Sequence, residues 1–267
     1  MYISREKILF NLKSRMFSRQ IHLLEEVSST QDILRSLIVS GSPEGTIVIS
    51  ETQSEGRGRL DREWVSPEGG LWFSVAIIPP LGPEAAPQIT LIAALSIVQA
   101  IRDVVGLSAS IKWPNDIFIN NKKVAGIMGE MSSHQVAIKY IALGIGINVN
   151  IPLEKLPSCA TSLFHETQRE IPIEELLSSF LDHLDDNYSV FKSSKNLTPF
   201  VDNINELLLY KNETVEYISG QYPPYNNKIQ GTILNIHSDG RLVMKIGDEC
   251  RMLSSGEIVA DMQDGRF

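Results

Sequence analysis

Residues 53–64 combine glycines and arginines in a pattern that favours the binding of an anion. The segment contains Gln53, Gly56, Arg57, Gly58, Arg59, Arg62 and Trp64. Glycine lets backbone N–H groups approach a phosphate or a carboxylate, and each guanidinium offers a planar fork of donors to their oxygens. A Walker A loop and the G-x-G-x-x-G pattern are both unmatched, because no Gly-Lys-Ser/Thr follows and position 61 is Asp. The residue types leave two alternatives, an anion-binding loop or a solvated turn in which Arg62 pairs with a neighbouring carboxylate.

A second candidate segment carries two lysines. Residues 112–116 read Lys-Trp-Pro-Asn-Asp, and residues 123–127 read Lys-Val-Ala-Gly-Ile. A lysine held on a strand can neutralise the negative charge that develops between a reacting carboxylate and a phosphate. Lys123 is therefore the main candidate for a catalytic residue. Asn115 and Asp116 could equally cap a turn, and Lys112 is interpreted as an ordinary exposed strand residue.

The third candidate segment is residues 28–32, Ser-Ser-Thr-Gln-Asp, which precede apolar residues at helical spacing. Ser29 and Asp32 have the spacing of a capping box, and this predicts the start of a helix. A helix N-terminus also presents N–H groups, beside hydroxyl and amide side chains that can bind a small polar ligand. A cap without further function and a ligand site both stay open.

The composition excludes several protein classes. Of 267 residues, 43% are hydrophobic and 21% are charged, which is typical of a soluble folded protein. The net charge of −8 argues against extensive binding of nucleic acid. Two cysteines and five dispersed histidines do not form a metal-ligand pattern, so we expect no protein-bound metal. No apolar run reaches a bilayer-spanning length, and the first 22 residues do not resemble a secretory signal; these features predict a cytoplasmic protein without membrane association.

Apolar periodicity predicts the elements that position these segments. Strands are expected at residues 46–50, 71–78, 117–119, 124–128 and 140–149, and helices at residues 91–105, 174–191 and 199–209. This order predicts an α+β core with a mixed sheet flanked by helices. After residue 211 only short strands are indicated, at residues 214–218, 228–236, 242–246 and 251–253, with Asp239-Gly240 as a hairpin turn. The chain therefore ends in a small β-barrel module.

Residues 1–22 form a basic segment with five arginines and lysines and a single glutamate. Apolar residues at positions 8, 9, 12 and 16 predict a short amphipathic helix that packs on the body of the protein. A nucleic-acid-binding arm or a transit segment is the alternative. The segment is too short for a complete helix-turn-helix domain, so specific DNA binding is not expected.

Five groups of residues follow one another in a distinctive order. They are Ser29-Thr30-Gln31 with Gln53, Gly56-Arg57-Gly58-Arg59 with Arg62 and Trp64, Lys112-Trp113-Pro114-Asn115-Asp116, Lys123-Val124-Ala125-Gly126, and Gly144-Ile145-Gly146-Ile147-Asn148. Together they resemble the biotin protein ligase family, and the resemblance extends from about residue 26 to the C-terminal module. It implies a class II synthetase-like catalytic core of the biotin/lipoate ligase type at residues 23–211, and an SH3-like barrel at residues 212–267.

The resemblance implies ATP-dependent biotinylation in two half-reactions, with Mg2+ assisting the first. Biotin and ATP give biotinyl-5′-AMP and pyrophosphate, and a lysine of a biotin carboxyl carrier protein, such as that of acetyl-CoA carboxylase, then displaces AMP. The catalytic residues implied are Lys123, Arg57 and Asp116, of which Asp116 would orient or deprotonate the lysine amine. The implied biotin contacts are Ser29, Thr30, Gln31, Gln53, Gly56, Arg57, Gly58, Arg59, Lys123 and Gly126, and the implied nucleotide contacts are Arg57, Arg59, Arg62, Trp64, Asn115, Lys123 and Asn148.

Several alternatives stay open beside this resemblance. Trp64 could stack on adenine or belong to the core, and Trp113 has the same two interpretations. Gln31 stands where many relatives have Asn, and Ala260-Asp261 occurs where some have a basic residue near the nucleotide, so a direct ATP contact of the C-terminal module is in doubt. The alternative functions are a lipoate or octanoate ligase, a non-catalytic biotin sensor, and a nucleic-acid regulator. A homodimer formed through a sheet edge is also open.

Overall fold

A seven-stranded mixed sheet forms the larger part of the computed structural model, which describes residues 3–135, 137–218 and 228–259. The strand order is β1-β2-β3-β7-β6-β5-β4; β1 and β2 are parallel and the other neighbours are antiparallel. The strands are β1 (Ile21–Val27), β2 (Ile47–Gln53), β3 (Leu71–Ile77), β4 (Ser110–Lys112), β5 (Asp116–Ile119), β6 (Lys122–His134) and β7 (Ala137–Ile147). The mixed sheet confirms the predicted fold class.

Helices cover the two faces of this sheet unequally. They are α1 (Arg5–Asn11), α2 (Thr30–Val39), α3 (Ala85–Ala100), α4 (Leu163–Thr167), α5 (Ile173–Ser194) and α6 (Val201–Glu206). Phe73 and Val75 of β3 face the main core with α3 and α5, whereas Ala76 belongs to a small cluster with Leu34 of α2. Because α2 is short, it covers only part of the second face. The remainder of that face is available for a ligand cavity.

The most apolar helix lies inside the protein. Within the described residues, the helical stretch Ala85–Val105 is long and apolar enough to cross a membrane by length and composition. This corrects the expectation that no apolar run reaches such a length. However, 72% of its most apolar window is buried in the protein, where α3 contacts β6 and α5. A helix that is apolar all round and buried in this way is typical of a core.

A five-stranded antiparallel sheet follows the main sheet in the chain, and it is consistent with an SH3-like module. Its strand order is β11-β10-β9-β8-β12. The strands are β8 (Thr214–Ile218), β9 (Lys228–Ile236), β10 (Leu242–Ile246), β11 (Glu249–Leu253) and β12 (Glu257–Val259). Buried residues of this sheet, including Ile236 and Leu242, are part of the same apolar cluster as the main core. Ala260-Asp261 lies outside the described residues.

Most predicted elements are confirmed, and the differences have physical causes. The predicted N-terminal helix is α1, and the hairpin between β5 and β6 turns at Asn120 and Asn121, both at positive φ. Strand β6 continues beyond residue 128 to His134, since this segment pairs with β7. The prediction ended the strand earlier because the segment is polar, mostly exposed and without an apolar pattern. Strands β1, β4 and β12 were not predicted: β1 carries Glu25 and Glu26 at a sheet edge, and β4 and β12 have three residues each.

Candidate active site

A cavity of about 520 Å3 lies between the main sheet, the N-terminus of α2 and residues 56–64. Its volume is in the range of small-molecule sites. The predicted site residues that line it are Ser29, Thr30, Gln31, Gln53, Arg57, Gly58, Arg59, Arg62, Trp64, Asn115, Asp116, Lys123, Gly126 and Asn148. Gly56 is not among the lining residues; a Cβ there would lie 2.3 Å from the Trp64 carbonyl oxygen. The sequence patterns missed residues 156–160, which also line the cavity.

Uncharged side chains organise one end of the cavity, which we call the neutral end and define by Thr30, Gln31 and Gln53. The backbone N and Oγ1 of Thr30 donate to Gln53 Oε1 at 2.9 and 3.1 Å. Thr30 Oγ1 also lies 2.8 Å from Ser74 Oγ, and Gln53 Nε2 donates to Ser66 Oγ at 2.9 Å. Gln53 thus satisfies an N–H group that the helix itself leaves unpaired. The start of α2 is thereby fixed to the end of β2.

Gln31 completes the neutral end. Its Nε2 donates to the carbonyl oxygens of Met128 at 3.0 Å and Ala142 at 3.1 Å, one on each of two neighbouring strands. The side chain is 4% exposed and lies so close to Gly144 that a Cβ there would be 2.6 Å from Gln31 Cδ. Since both N–H donors are used by the protein, the Gln31 side chain has only its oxygen to offer a ligand.

Residues 56–64 fold back on themselves over the cavity. Arg57 and Glu63 form an antiparallel bridge, the Gly58 N–H donates to the Arg62 carbonyl at 2.7 Å, and the Trp64 N–H donates to the Gly56 carbonyl at 2.8 Å. We call this segment the arginine loop. This backbone pairing fixes the positions of the three arginines in the loop. Their side chains extend from the loop toward different parts of the molecule.

Arg57 pairs with α2. Its NH1 and NH2 donate to the two carboxylate oxygens of Asp32 at 2.9 and 2.7 Å, and NH2 lies 3.7 Å from Glu130 Oε1. The hydrogen bonds from Arg57 lower the pKa of Asp32, and in turn raise the pKa of Arg57. Ser29 is the N-cap of α2 but makes no side-chain capping bond. The predicted capping box is therefore wrong, because Asp32 binds two arginines, Arg57 and Arg35.

Arg59 and Arg62 reach the C-terminal sheet. Arg59 NH1 donates to Asn115 Oδ1 at 2.9 Å, its NH2 donates to the Gly256 carbonyl at 3.4 Å, and its burial lowers its pKa. Arg62 makes a two-point pair with Glu257, with NH2 2.7 Å from Oε2. Burial acts to raise the pKa of Glu257, but the Arg62 hydrogen bonds and neighbouring positive charges outweigh it and lower the pKa. Arg62 thus pairs with a carboxylate, yet also lines the cavity.

The predicted catalytic lysine lies beside an aspartate. Lys123 Nζ is 2.9 Å from Asp116 Oδ1, and their side chains are 15% and 21% exposed. Asn115 Nδ2 donates to Asp116 Oδ1 at 3.1 Å and to the Ile127 carbonyl at 3.0 Å. Asn115 therefore binds both Asp116 and Arg59 and holds them on one wall of the cavity. We call this wall the charged end and define it by Arg57, Arg59, Arg62, Lys112, Asp116 and Lys123.

The two tryptophans have different environments. The Trp64 ring centroid lies 5.0 Å from Lys123 Nζ, and its edge-on contact with Trp72 has a centroid distance of 6.3 Å. A Cβ at Gly146 would be 2.4 Å from Trp64 Nε1, so this strand position needs glycine to admit the ring. Trp64 Nε1 is buried without a hydrogen-bond partner in the described part of the chain. Trp113 is 2% exposed and packs in the core, and part of it also lines the cavity.

Two buried side chains complete this region, namely Asn148 beside the charged end and Lys112 within it. Asn148 is 3% exposed and its Nδ2 donates to the Thr161 carbonyl at 3.0 Å. Lys112 is 7% exposed, with Nζ 4.9 Å from the Phe118 ring centroid. The interpretation of Lys112 as an ordinary exposed residue is wrong, since it lines the cavity. Only the folded chain reveals this, because Tyr210, a second aromatic residue near Nζ, is distant in sequence.

Comparisons with known proteins agree with this geometry. The model of the biotin/lipoate A/B protein ligase family matches residues 23–148. The bifunctional ligase/repressor BirA of Bacillus subtilis is 31% identical over 96% of this chain and 78% of its own length. The Bacillus spizizenii protein of the same name is 38% identical over 63% of this chain, and the match spans 54% of that relative. The structure of biotin protein ligase from Aquifex aeolicus with biotin and ATP has a TM-score of 0.76 and 31% identity, over 90% of this chain and 97% of that one.

Proposed function

Because the chain belongs to the biotin protein ligase family, we propose that it activates biotin with ATP and transfers the biotinyl group to a lysine of an acceptor protein. In the first step a biotin carboxylate oxygen attacks the α-phosphorus of ATP, and pyrophosphate leaves. In the second, the lysine nitrogen attacks the acyl carbon of biotinyl-5′-AMP, and AMP leaves. The observation that carries the proposal is one cavity that joins the neutral end to the charged end.

The neutral end suits the bicyclic ring of biotin. A ureido group has N–H donors and a carbonyl acceptor, and a buried site must match these groups with partners of the opposite kind. Gln31 offers an acceptor oxygen, while the Ser29 hydroxyl can donate or accept. Thr30 and Gln53 hold one another, so they form a preorganised wall. A rigid wall lowers the entropy cost of binding.

The charged end suits the reacting carboxylate and phosphate. Five basic side chains line this part of the cavity, namely Arg57, Arg59, Arg62, Lys112 and Lys123. We assign Lys123 to the charge that develops on the phosphate and carboxylate oxygens in the first step. Arg57 would add to this stabilisation once phosphate oxygens replace part of its contact with Asp32. The arginine loop would exclude water from the mixed anhydride.

Mg2+ would enter together with ATP as part of the substrate. This ion is commonly held by one or two carboxylates in addition to substrate phosphates. Asp116 and Glu257 line the cavity and fit that role. The described residues contain no cluster of three or more acidic, histidine or cysteine side chains that could hold a metal ion without the nucleotide. The carboxylates present therefore fit a substrate-borne ion better than a resident one.

For the second step we assign to Asp116 the orientation or deprotonation of the acceptor amine. Its carboxylate lies at the cavity wall and contacts Lys123 and Asn115. The Asp116→Asn variant tests this assignment when it is supplied with preformed biotinyl-5′-AMP and an acceptor. A reduced transfer rate is expected, and full transfer would contradict the role of Asp116.

The acceptor that we propose is the biotin carboxyl carrier protein of acetyl-CoA carboxylase, in the cytoplasm. Support comes from a relative in Mycobacterium tuberculosis that is named biotin–[acetyl-CoA-carboxylase] ligase and is 25% identical over 90% of this chain. We also propose a catalytic domain at residues 23–211 and a C-terminal domain at residues 212–267. Specific DNA binding by residues 1–22 is not part of this proposal, since Lys13 and Ser14 donate backbone hydrogen bonds to Asp182 of α5.

ATP–pyrophosphate exchange tests the proposed function without knowledge of the acceptor. The purified protein is assayed with Mg2+ and ATP, together with biotin, with lipoate, or with neither acid. Exchange that depends on biotin is expected. Exchange with lipoate alone would assign the chain to the lipoate branch of the family, and a folded protein that binds biotin without exchange would be a sensor.

A further inference from the structure

We propose that the turn between β9 and β10 positions the 112–116 segment of the active site through the indole of Trp113. The inference rests on the proposed function, because its consequence is a change in the rate of biotin activation. It concerns a part of the C-terminal sheet that does not itself line the cavity. The turn comprises residues 237–241 and is called the docking turn below.

The contact that carries the inference is buried and specific. Trp113 is 2% exposed, and its Nε1–H donates to the Gly240 carbonyl oxygen at 3.1 Å. Gly240 has φ of +86°, a conformation that favours glycine. A Cβ at Gly240 would lie 3.2 Å from Gln88 Cγ and 3.5 Å from Leu91 Cδ1, so the turn fits closely against α3. The carbonyl that Trp113 binds therefore has a defined position.

The docking turn is closed by its own backbone hydrogen bonds and by the side chain of Asp239. The His237 N–H donates to the Arg241 carbonyl, and the Gly240 N–H donates to the His237 carbonyl, both at 2.9 Å. The Asp239 carboxylate accepts from the Arg241 backbone N at 3.0 Å and from its Nε at 2.8 Å. These bonds define the turn without help from the active site, so the turn can act as a fixed reference for Trp113.

The catalytic core holds the same hairpin at two further places. Asn205 of α6 donates to the Ile236 carbonyl at 3.1 Å and accepts from the Ile236 N–H at 2.6 Å. The Leu197 N–H donates to the Ser238 carbonyl at 2.8 Å. Together with the Trp113 bond, these contacts tie the end of the hairpin to the core. A displacement of the hairpin end is thus transmitted to Trp113.

A short chain of contacts connects Trp113 to the reacting groups. It is two residues from Asn115, whose amide binds Arg59 on one side and Asp116 on the other. Asp116 in turn lies 2.9 Å from Lys123 Nζ. Since small displacements of groups that position a reaction cost large factors in rate, Trp113 is a positioning residue for the charged end. The neutral end, built from α2 and β2, does not depend on this chain of contacts.

The Trp113→Phe variant tests the proposal, because it keeps an aromatic ring and removes the indole N–H. We expect kcat for biotin-dependent ATP–pyrophosphate exchange to fall about tenfold, while the biotin Kd stays unchanged. The control is Tyr188→Phe, which removes the 2.8 Å hydrogen bond from a buried hydroxyl to Glu44; neither of these residues lines the cavity. It should lower Tm to a similar extent and leave kcat unchanged. A Trp113→Phe variant with the same Tm loss and full kcat would overturn the proposal.

A second variant approaches the contact from the turn. Asp239→Ala opens the docking turn without touching the main sheet, and we expect the same selective loss of kcat. If the two residues act through one contact, the double variant loses little more than Trp113→Phe alone. Multiplied losses would contradict the proposal, and Asp239→Ala alone decides it if Trp113→Phe does not fold. Wild-type exchange is measured first: its absence would refute the proposed function, whereas active wild type with unaffected variants would refute only this inference.

Discussion

The two ends of the cavity differ in the forces that organise them. At the neutral end, Thr30 and Gln53 are joined by hydrogen bonds, and Gln31 is bonded to main-chain carbonyls of two strands. At the charged end, Arg57 and Arg62 form two-point ion pairs with carboxylates of other elements. The neutral end is held together by hydrogen bonds between uncharged groups of the protein itself. The charged end holds its cations in place by pairing them with the protein's own anions.

This difference predicts how each end responds to its substrate. A neutral hydrogen-bonded wall gains little from rearrangement, since the Thr30 and Gln53 side chains and the Gln31 N–H donors are already bonded within the protein. Ion pairs that are about one-third exposed, as Arg57 and Arg62 are, contribute little to stability and are weakened by salt. Phosphate oxygens can therefore replace a carboxylate at modest cost. Variants at the neutral end should change biotin affinity, and variants at the charged end should change rate or ATP affinity.

The largest effect is expected for Lys123→Ala. Loss of the ammonium group removes the charge stabilisation assigned to the first step, and kcat for exchange should fall about 10^3-fold. The biotin Kd should change far less. The control is Lys122→Ala, because successive strand residues point to opposite faces and Lys122 is outside the cavity lining. An equal loss of kcat in Lys123→Ala and Lys122→Ala would contradict the specific role of Lys123 at the charged end.

Thr30→Val should produce the opposite result. The variant keeps the shape of the side chain but loses the bonds from Oγ1 to Gln53 and Ser74, so the biotin Kd should rise about tenfold, as expected for about 1.4 kcal/mol. At saturating biotin, kcat should stay within about twofold of wild type. Titration calorimetry measures the first quantity. Thr52→Val, on β2 next to Gln53 and outside the cavity lining, should leave both unchanged. A loss confined to kcat would contradict the role of the neutral end.

Glu257→Gln should have a smaller effect that depends on salt. It weakens the pair that holds Arg62 against β12, and the KM for ATP should rise about fivefold at low ionic strength, with a smaller difference at high salt. The biotin Kd should not change. Glu249→Gln, which alters an exposed carboxylate of β11 paired with Arg251, is the control. An increase that persists unchanged at high salt would show that the pair does not act through charge.

The smallest effect concerns stability and pH. Arg57 lowers the pKa of Asp32 below its ordinary value of 3.8, so the pair stabilises the fold above that pH and is lost as the pH falls through the lowered pKa. Asp32→Asn should reduce the free energy of unfolding by about 1 kcal/mol at neutral pH. Denaturant titrations should show this difference shrinking as the pH falls below about 5 and through the lowered pKa of Asp32. Asp248→Asn, at an exposed position, serves as the control, and a difference independent of pH would contradict the pairing.

The sequence predicted residue types better than residue partners. The arginines of residues 53–64 indicated an anion site, but the partners of Arg57 and Arg62 lie 25 and 195 residues away. Only the fold brings such groups together. The same reason explains the wrong capping box at Ser29, since Asp32 has the right spacing but a stronger partner. Local periodicity cannot report a contact that depends on the order of strands in a sheet.

The prediction of the fold was most accurate for strands that are buried on both faces of the sheet. Strand β3 is buried throughout, and its continuous apolar run was recognised with nearly the observed bounds. Strand β1 is an edge strand with two glutamates, and it was missed. Lys112 was assigned to the surface because nothing near it in sequence shows that Phe118 and Tyr210 surround its ammonium group. Polar residues that become buried only through tertiary contacts are thus the residues whose environment is predicted worst from the sequence.

The most direct test of biotin activation by this protein is the identity of the product that it forms without an acceptor. The purified protein is incubated with biotin, Mg2+ and ATP labelled at the α-phosphate, separated from unbound nucleotide, and its bound ligand is identified by mass. We predict bound biotinyl-5′-AMP, and none when lipoate replaces biotin or when Lys123 is changed to Ala. Unreacted ATP as the only nucleotide, or a lipoyl adenylate in place of the biotinyl adenylate, would contradict it.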